Sequence, residues 1–466
     1  MSTEIKKEMD MINGPIFKNI LRFSVPLMLS SMLQLLYNAA DVIVVGQFAS
    51  DHSLAAVSST GSLINLIVNL FMGLSVGASV VVSQNIGAGR AKDVEEAVHT
   101  SIAISIVSGI LVGIFGFFAA GGLLRLMDSP ENVIGLSTIY VQIYFLGMPA
   151  NMIYNFGSAI LRAVGETKKP MYYLMFSGLV NVILNLIFVI VLKMDVAGVA
   201  LATIISQIIS AFLVIRLLLR YDGMVKLIPS KIKIHMDKLK KIAAVGLPAG
   251  IQGSLFSISN VLIQSSINAF GSEAMAGNGA AANLEGFIYV AMNAIHQAAI
   301  TFTGQNYGAG KIKRIKTICL ECMATVAAIG LGMGILFDIF GEILLSIYTD
   351  SAVEIEFGMV RFTVICFSYF LCGTMDVMVG MLRGIGSSIT PMIVTVSCVC
   401  GLRIVWLYTV YASFRATCTE PHQCLLVLLI SYPVSWIIAT AVHIGCFIFH
   451  YHRLKKKTDL KAKEAV

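Results

Sequence analysis

Charge is scarce in this chain: only 13% of its 466 residues are Asp, Glu, Lys or Arg, about half of what a soluble globular protein carries. A sequence so poor in charge cannot cover itself with polar surface. Between about residue 15 and residue 450 there is no stretch polar enough to form a domain outside a membrane. Short alternating segments, which a closed membrane barrel needs, are also missing. No Gly-Lys-Ser/Thr ending follows any glycine-rich turn, so a phosphate-cradling nucleotide loop is excluded, and with no soluble domain an ATP-driven pump is excluded too. The buried polar residues form no nucleophile and base pair and no histidine-rich metal cluster: His296 is alone, and His443 and His450 lie near the end of the last helix. The chain therefore does not read as an enzyme, and no cofactor is expected.

What is present is apolar. Hydrophobic residues make up 57% of the chain and the mean hydropathy is +0.83. A helix of about 20 such residues spans the hydrocarbon core, because it rises about 1.5 Å per residue. The continuous runs predict twelve helices, near 16–47, 55–82, 95–122, 131–157, 168–192, 196–219, 243–269, 275–303, 315–340, 355–385, 389–413 and 424–449. The fold expected is all-α and integral to the membrane. The first run starts at Gly14-Pro15, continues past residue 40 and lacks a small-residue cleavage pattern, so it reads as a retained helix rather than a signal peptide.

Of the 33 Lys and Arg residues, 28 fall in one set of alternate loops and the two tails, among them Lys6, Lys7, Arg90, Lys311 and the tail 451–466. By the positive-inside rule both termini are cytoplasmic, in a plasma (inner) membrane. The net charge of +7 then reflects contact with anionic lipid headgroups and gives no support for a nucleic-acid partner. Seven of the nine cysteines, all at 319 or later, sit in apolar helices without a metal-type spacing and read as packing residues. Cys418 and Cys424 fall in a predicted external loop, where a disulfide is open to formation.

The chain repeats itself. Gln84-Asn85-Ile86-Gly87-Ala88-Gly89-Arg90 recurs as Gln305-Asn306-Tyr307-Gly308-Ala309-Gly310-Lys311 at a shift of 221, and Leu161-Arg162-Ala163-Val164-Gly165 recurs as Leu382-Arg383-Gly384-Ile385-Gly386 at the same shift. Pro26 and Asn38 match Pro248 and Asn260 at a shift of 222. Two six-helix halves result, parallel in topology because six is even. The expected organisation is an N-lobe over 1–220, a basic linker over 221–241, a C-lobe over 242–450 and a basic tail over 451–466. The glycines of the turn motifs supply the backbone freedom to reverse direction, and the cation that ends the Gln-Asn motif is expected among headgroups.

These duplicated turns, the paired helix starts Phe23-Ser24-Val25-Pro26 and Val245-Gly246-Leu247-Pro248, and the run Asn181 to Asn185 resemble the multidrug and toxic compound extrusion transporters over nearly the whole chain. The resemblance implies a V-shaped molecule of two lobes that exports cationic or amphipathic compounds in exchange for protons or Na⁺, by alternating access between the lobes. It also implies a monomer whose partners are small-molecule substrates and membrane lipids. A lipid-linked-oligosaccharide flippase of the same superfamily is the alternative.

Ionisable residues inside the bilayer are functional candidates, because charge at mid-membrane costs at least ~2.5–3.5 kcal/mol. Three acids stand inside apolar runs: Asp41, Glu285 and Asp376. Asp41 lies about 10 Å from the outer end of the first helix, with Asn38 on the same face. Asn181 and Asn185, four residues apart, share a face of the fifth helix. In some relatives the N-lobe cavity holds an Asp, an Asn and Asp pair, a Tyr and a Thr; Asp41, Asn181, Asn185, Tyr140 and Thr203 look like those positions, with Asn185 in place of the second acid. Carboxylate with amide and hydroxyl oxygens suits either Na⁺ at Asp41 or one protonatable site. In the C-lobe the seventh helix has no acid, so Glu285 stands as a substitute for the Glu found in another branch, while Asp376 lies about a turn from the expected Asp. Arg403 matches Asp376 in depth, and a structural ion pair between them is expected.

Overall fold

In hydrocarbon every backbone N–H and C=O must find its partner within the chain, so long apolar runs become helices. The computed structural model describes residues 9–48, 51–127 and 131–464; Lys6, Lys7 and the last two residues of the basic tail lie outside them. Among the described residues there is no strand. Twelve rods follow one another: α1 (Ile16–Phe48), α2 (Asp51–Gly87), α3 (Ala91–Leu126), α4 (Glu131–Leu146 and Met148–Ala163), α5 (Lys168–Val191), α6 (Asp195–Leu219), α7 (Met236–Asn268), α8 (Ser272–Gly308), α9 (Ile312–Ile339), α10 (Ala352–Gly384), α11 (Ile389–Arg415) and α12 (Pro421–Glu464). Ten are individually long and apolar enough to cross a membrane, and α4 adds an eleventh, its two pieces meeting at 47° where Pro149 interrupts the hydrogen-bond ladder. The remaining rod, α8, is 37 residues long but carries Asn278, Glu285, Asn293 and His296. Side chains such as Phe118 (80% exposed) and Leu126 (82%) face outward, as a protein solvated by lipid requires.

Among the described residues three rods contain π-helical turns. These are Leu186–Val191 in α5, Phe362–Cys366 in α10, and both Val396–Gly401 and Leu407–Tyr411 in α11; three rods thus hold four such turns. Wide turns of this kind concentrate at functional positions.

The repeated motifs are repeated helix caps. Arg90 N–H donates to the Asn85 carbonyl (3.1 Å) and Gly89 N–H to that of Ile86 (3.0 Å); Lys311 and Gly310 repeat this with Asn306 (2.9 Å) and Tyr307 (3.1 Å). Gly89 and Gly310 take φ of +67° and +70°, the left-handed conformation that closes such a cap and that only glycine adopts without strain. The second motif pair closes alike at Gly165 and Gly386. Gly87 and Gly308 are the last helical residues before their caps, and the carbonyls of Gln84 and Gln305 accept from Ala88 and Ala309. Lys311 departs from expectation: its ammonium binds the Ile12 carbonyl (3.4 Å) and the Asn13 side chain rather than reaching toward headgroups.

The contacts divide the chain into two units, one gathering Leu29–Gly250 and the other Met11–Met28 with the residues from Ile251 onward. In the first, glycines let α2 and the start of α7 touch: a Cβ on Gly73 would stand 2.2 Å from Gly250 N, and one on Gly77 2.2 Å from the Ile242 carbonyl oxygen. The segment before α7 is strapped to the start of α3. His99 Nε2 accepts from Ile228 N–H (3.0 Å), Lys231 pairs with Glu95 (2.8 Å), and Lys238, 3% exposed, meets Asp93 (2.6 Å), Glu96 (3.2 Å) and Asp237 (2.7 Å). Helix α7 begins at Met236, inside the stretch read from sequence as linker. In the second unit, Phe23 packs edge-on against Phe302 with ring centroids 5.7 Å apart, and Asn306 Nδ2 donates to the Met11 carbonyl (3.0 Å).

Cys418 and Cys424 are free thiols and not a disulfide. Helix α12 starts at Pro421 and turns Cys424 inward, where its Sγ contacts the Cys418 carbonyl oxygen at 3.8 Å.

Candidate functional site

In the first unit α1 and α5 meet through a ring and a glycine. A Cβ on Gly178 would lie 1.9 Å from Tyr37 Cε2, so the aromatic ring lies directly against the α5 backbone, and Tyr37 Oη donates to the Met175 carbonyl at 3.1 Å. One turn further along α1 and two turns further along α5, that alignment brings Asp41 to Asn185. Asn185 Nδ2 donates to Asp41 Oδ1 and also contacts Asn181 Oδ1 at 3.3 Å. Both asparagines are buried, at 5% and 0% exposure, while Asp41 is half-buried. No cation lies within ion-pair distance of Asp41 among the described residues, and Asn185 Oδ1 is buried with no donor. A carboxylate oxygen, the Asn181 amide oxygen and that unsatisfied oxygen together form a donor set of hard oxygens, which suits a proton or a small hard cation.

The other expected members stand differently. Tyr140 is buried in the core, and the Asp41 charge acts on it and on Tyr144. Thr203 turns its hydroxyl to the Val199 carbonyl (3.0 Å), and Asn38 is exposed. Asn185 is the last α-helical residue before the π-helical turn of α5, a position that sequence spacing did not mark.

We expect Gly178→Val to force α1 away from α5 and abolish substrate efflux from vesicles at normal protein yield. Adding Tyr37→Ala should restore part of the efflux by removing the clashing ring; equal loss with and without it would show that the ring contact does not set the register.

The second unit holds three separate polar clusters rather than the single group expected. Glu285 binds Arg361 through two parallel hydrogen bonds, Arg361 Nε to Oε2 at 2.8 Å and Nη2 to Oε1 at 2.7 Å, with the two side chains 12% and 7% exposed. Arg361 Nη1 donates to Asn278 Oδ1 (2.9 Å). Glu285 is therefore neutralised, and Arg361 is a deep cation that the sequence reading did not count. The signal available was its place ahead of the long apolar run of α10: the helix starts at Ala352 and carries Arg361 inward.

Arg403 does not pair with Asp376. Fully buried, its guanidinium lies 3.9 Å from the centre of the Tyr432 ring, with Nε donating to Ser435 Oγ (3.1 Å) and Nη1 to Asn260 Oδ1 (3.4 Å). Depth alone suggested the pair, but the π-helical turn at Val396–Gly401 directly before Arg403 helps set its facing, and the side chain meets α7 and α12. Asp376 makes no ion pair among the described residues. Its carbonyl accepts from His296 Nδ1 at 2.5 Å, and its charge acts on Arg383 and Tyr289. Arg383 is buried and donates to Gln252 Oε1 (2.9 Å), whereas Arg162, its counterpart, is half-buried in the last turn of α4.

Comparison with known proteins agrees with this architecture. The sequence model of the MatE family matches residues 26–187 and again 248–409, one match in each repeat. The chain is 28% identical over 390 residues to the probable multidrug resistance protein YpnP of Bacillus subtilis (strain 168), covering 83% of this chain and 86% of that protein. It is 26% identical over 400 residues to the probable multidrug resistance protein YoeA of the same organism, with 84% and 86% covered. Among solved structures, the outward-facing conformation of a multidrug resistance MATE family transporter superposes with a TM-score of 0.89 at 23% identity, over 97% of this chain and 100% of that one. With two family matches covering well over half of its length, the chain belongs to the MatE family of membrane transporters.

Proposed function

We propose that this protein is a secondary active exporter of cationic or amphipathic small molecules, driven by inward movement of H⁺ or Na⁺ through alternating access, with Asp41 as the coupling carboxylate. The observation that carries this reading is the contact of Asp41 with Asn185, itself bonded to Asn181, with no cationic side chain within ion-pair distance of the acid among the described residues. An exchanger needs a group whose occupancy by the driving ion alternates with that of its substrate. A proton or Na⁺ at Asp41 removes the charge that attracts a cationic substrate, so the two compete. The multidrug resistance names of the relatives support the substrate class. The reading includes a monomer in the plasma membrane with both termini cytoplasmic, an orientation that the bias of its basic residues supports.

Purified protein in vesicles, with a pH gradient and a Na⁺ gradient imposed separately, tests this. Efflux of a cationic dye should accelerate under one of the two gradients; indifference to both would overturn the proposal. A second reading, the lipid-linked-oligosaccharide flippase, draws on Arg403, which is fully buried, has no acid within ion-pair distance among the described residues and leaves Nη2 without an acceptor. Transport of a pyrophosphate-bearing lipid analogue, with no transport of the dye, would select it.

A further inference from the structure

All nine cysteines belong to the second unit, and the stretch Leu29–Gly250 of the first has none. If thiols served only as small packing residues, the two repeats would have equal use for them. Two of the nine, Cys319 and Cys322, form a Cys-x2-Cys pair on α9, which revises their reading as isolated fillers. Both are buried, at 8% and 0% exposure, and three residues of helix place them on neighbouring parts of one face. From α10, Met378 brings its Sδ to 3.7 Å from Cys319 Sγ. Met378 lies in a run of sulfur side chains spaced three apart, Cys372, Met375, Met378 and Met381, each no more than 3% exposed. Glu321, between the two cysteines in sequence, acts electrostatically on Cys322, and its Oε2 is buried without a hydrogen-bond donor.

We infer that Cys319, Cys322 and Met378 form a binding site for a soft monovalent d¹⁰ cation such as Cu⁺ or Ag⁺. Metal–sulfur bonds are ~2.3 Å long, so three sulfurs around one ion in a plane stand ~4.0 Å apart, close to the separation already present between Cys319 and Met378. Thiolate with thioether is the donor set that selects Cu⁺, and a thioether is a poor ligand for Zn²⁺. Binding breaks one S–H bond and forms a metal–thiolate bond. The proton leaves to solvent, no oxidation state changes, and one thiolate balances one monovalent charge in a dry interior. The site belongs to the second unit, and the inference does not depend on the transport reading.

The test uses the full-length purified protein with its accessible thiols first blocked by a membrane-impermeant maleimide. Cu⁺ is titrated in competition with a colorimetric Cu⁺ chelator, and Zn²⁺ is titrated in parallel. One Cu⁺ per chain should be retained, displaceable by Ag⁺, with three sulfurs at the metal by X-ray absorption and no matching uptake of Zn²⁺. The combined Cys319→Ser and Cys322→Ser change should lose that ion. Met378→Leu, which preserves side-chain volume and so folding, should keep it with two sulfurs and weaken it by roughly tenfold or more. An unchanged copper count in the double serine variant, or an unchanged sulfur count in Met378→Leu, would overturn the assignment.

Discussion

Replacing Asp41 with Asn should abolish gradient-driven export while leaving the protein folded and inserted. Asparagine keeps the shape of the side chain and can still hydrogen-bond to Asn185, so the α1 and α5 contact survives; what disappears is the capacity to hold a proton or balance a cation. Among the described residues of the first unit, Asp41 is the acid in contact with the buried Asn185, which in turn bonds Asn181. Asn185→Ala removes one donor and one oxygen but retains the ionisable group, so it should weaken export less. The measurement is dye efflux from vesicles under an imposed gradient, normalised to protein that elutes as a single species. Normal efflux from Asp41→Asn would transfer the coupling role to the second unit, where Asp376, unlike Glu285, is not neutralised by a bound guanidinium.

Arg361→Ala should produce the largest loss of stability. The Glu285 and Arg361 pair is bidentate and almost wholly removed from solvent, and Asn278 holds a further guanidinium nitrogen. Deleting one partner leaves an uncompensated buried charge, which costs about 3–5 kcal/mol, whereas replacing both with groups of similar volume is often neutral. Arg361→Ala should therefore sharply lower the yield of folded protein and its thermal unfolding temperature, and Arg361→Met combined with Glu285→Gln should recover much of both. Equal damage in the single and combined variants would show that the pair does not act as a unit.

The sequence disclosed some of this architecture readily, for physical reasons. Helices in lipid follow from composition, and the duplicated turns are local caps in which glycine at Gly89 and Gly310 meets a backbone requirement that can be read without tertiary information. Asn181 and Asn185 announced a polar face through their spacing, Asp41 stood out as an acid inside an apolar run, and the family resemblance grouped the three. The second unit was harder. Glu285 and Arg361 lie 76 positions apart, and which faces of α8 and α10 meet is set by packing across the bundle. Arg403 was matched to Asp376 by depth, one coordinate of several; the direction in which a side chain leaves its helix depends on the local winding, and α11 changes winding twice. The sulfur pair of α9 was passed over because its third donor comes from a different helix.

The winding of α11 has a consequence for the history of the duplication. The turn motifs are offset by 221 residues, but the family matches run from 26 and 248 to 187 and 409, an offset of 222 at each end. Relative to the first copy, the second is therefore one residue shorter early and one residue longer late, after Pro391. The π-helical turn Leu407–Tyr411 has its counterpart in Leu186–Val191 of α5, whereas Val396–Gly401 has none. A wide turn stores one surplus residue without breaking the rod, so this unmatched turn accommodates the residue by which the second copy is longer there. The two copies could then diverge in length while every cap beyond that turn kept its phase.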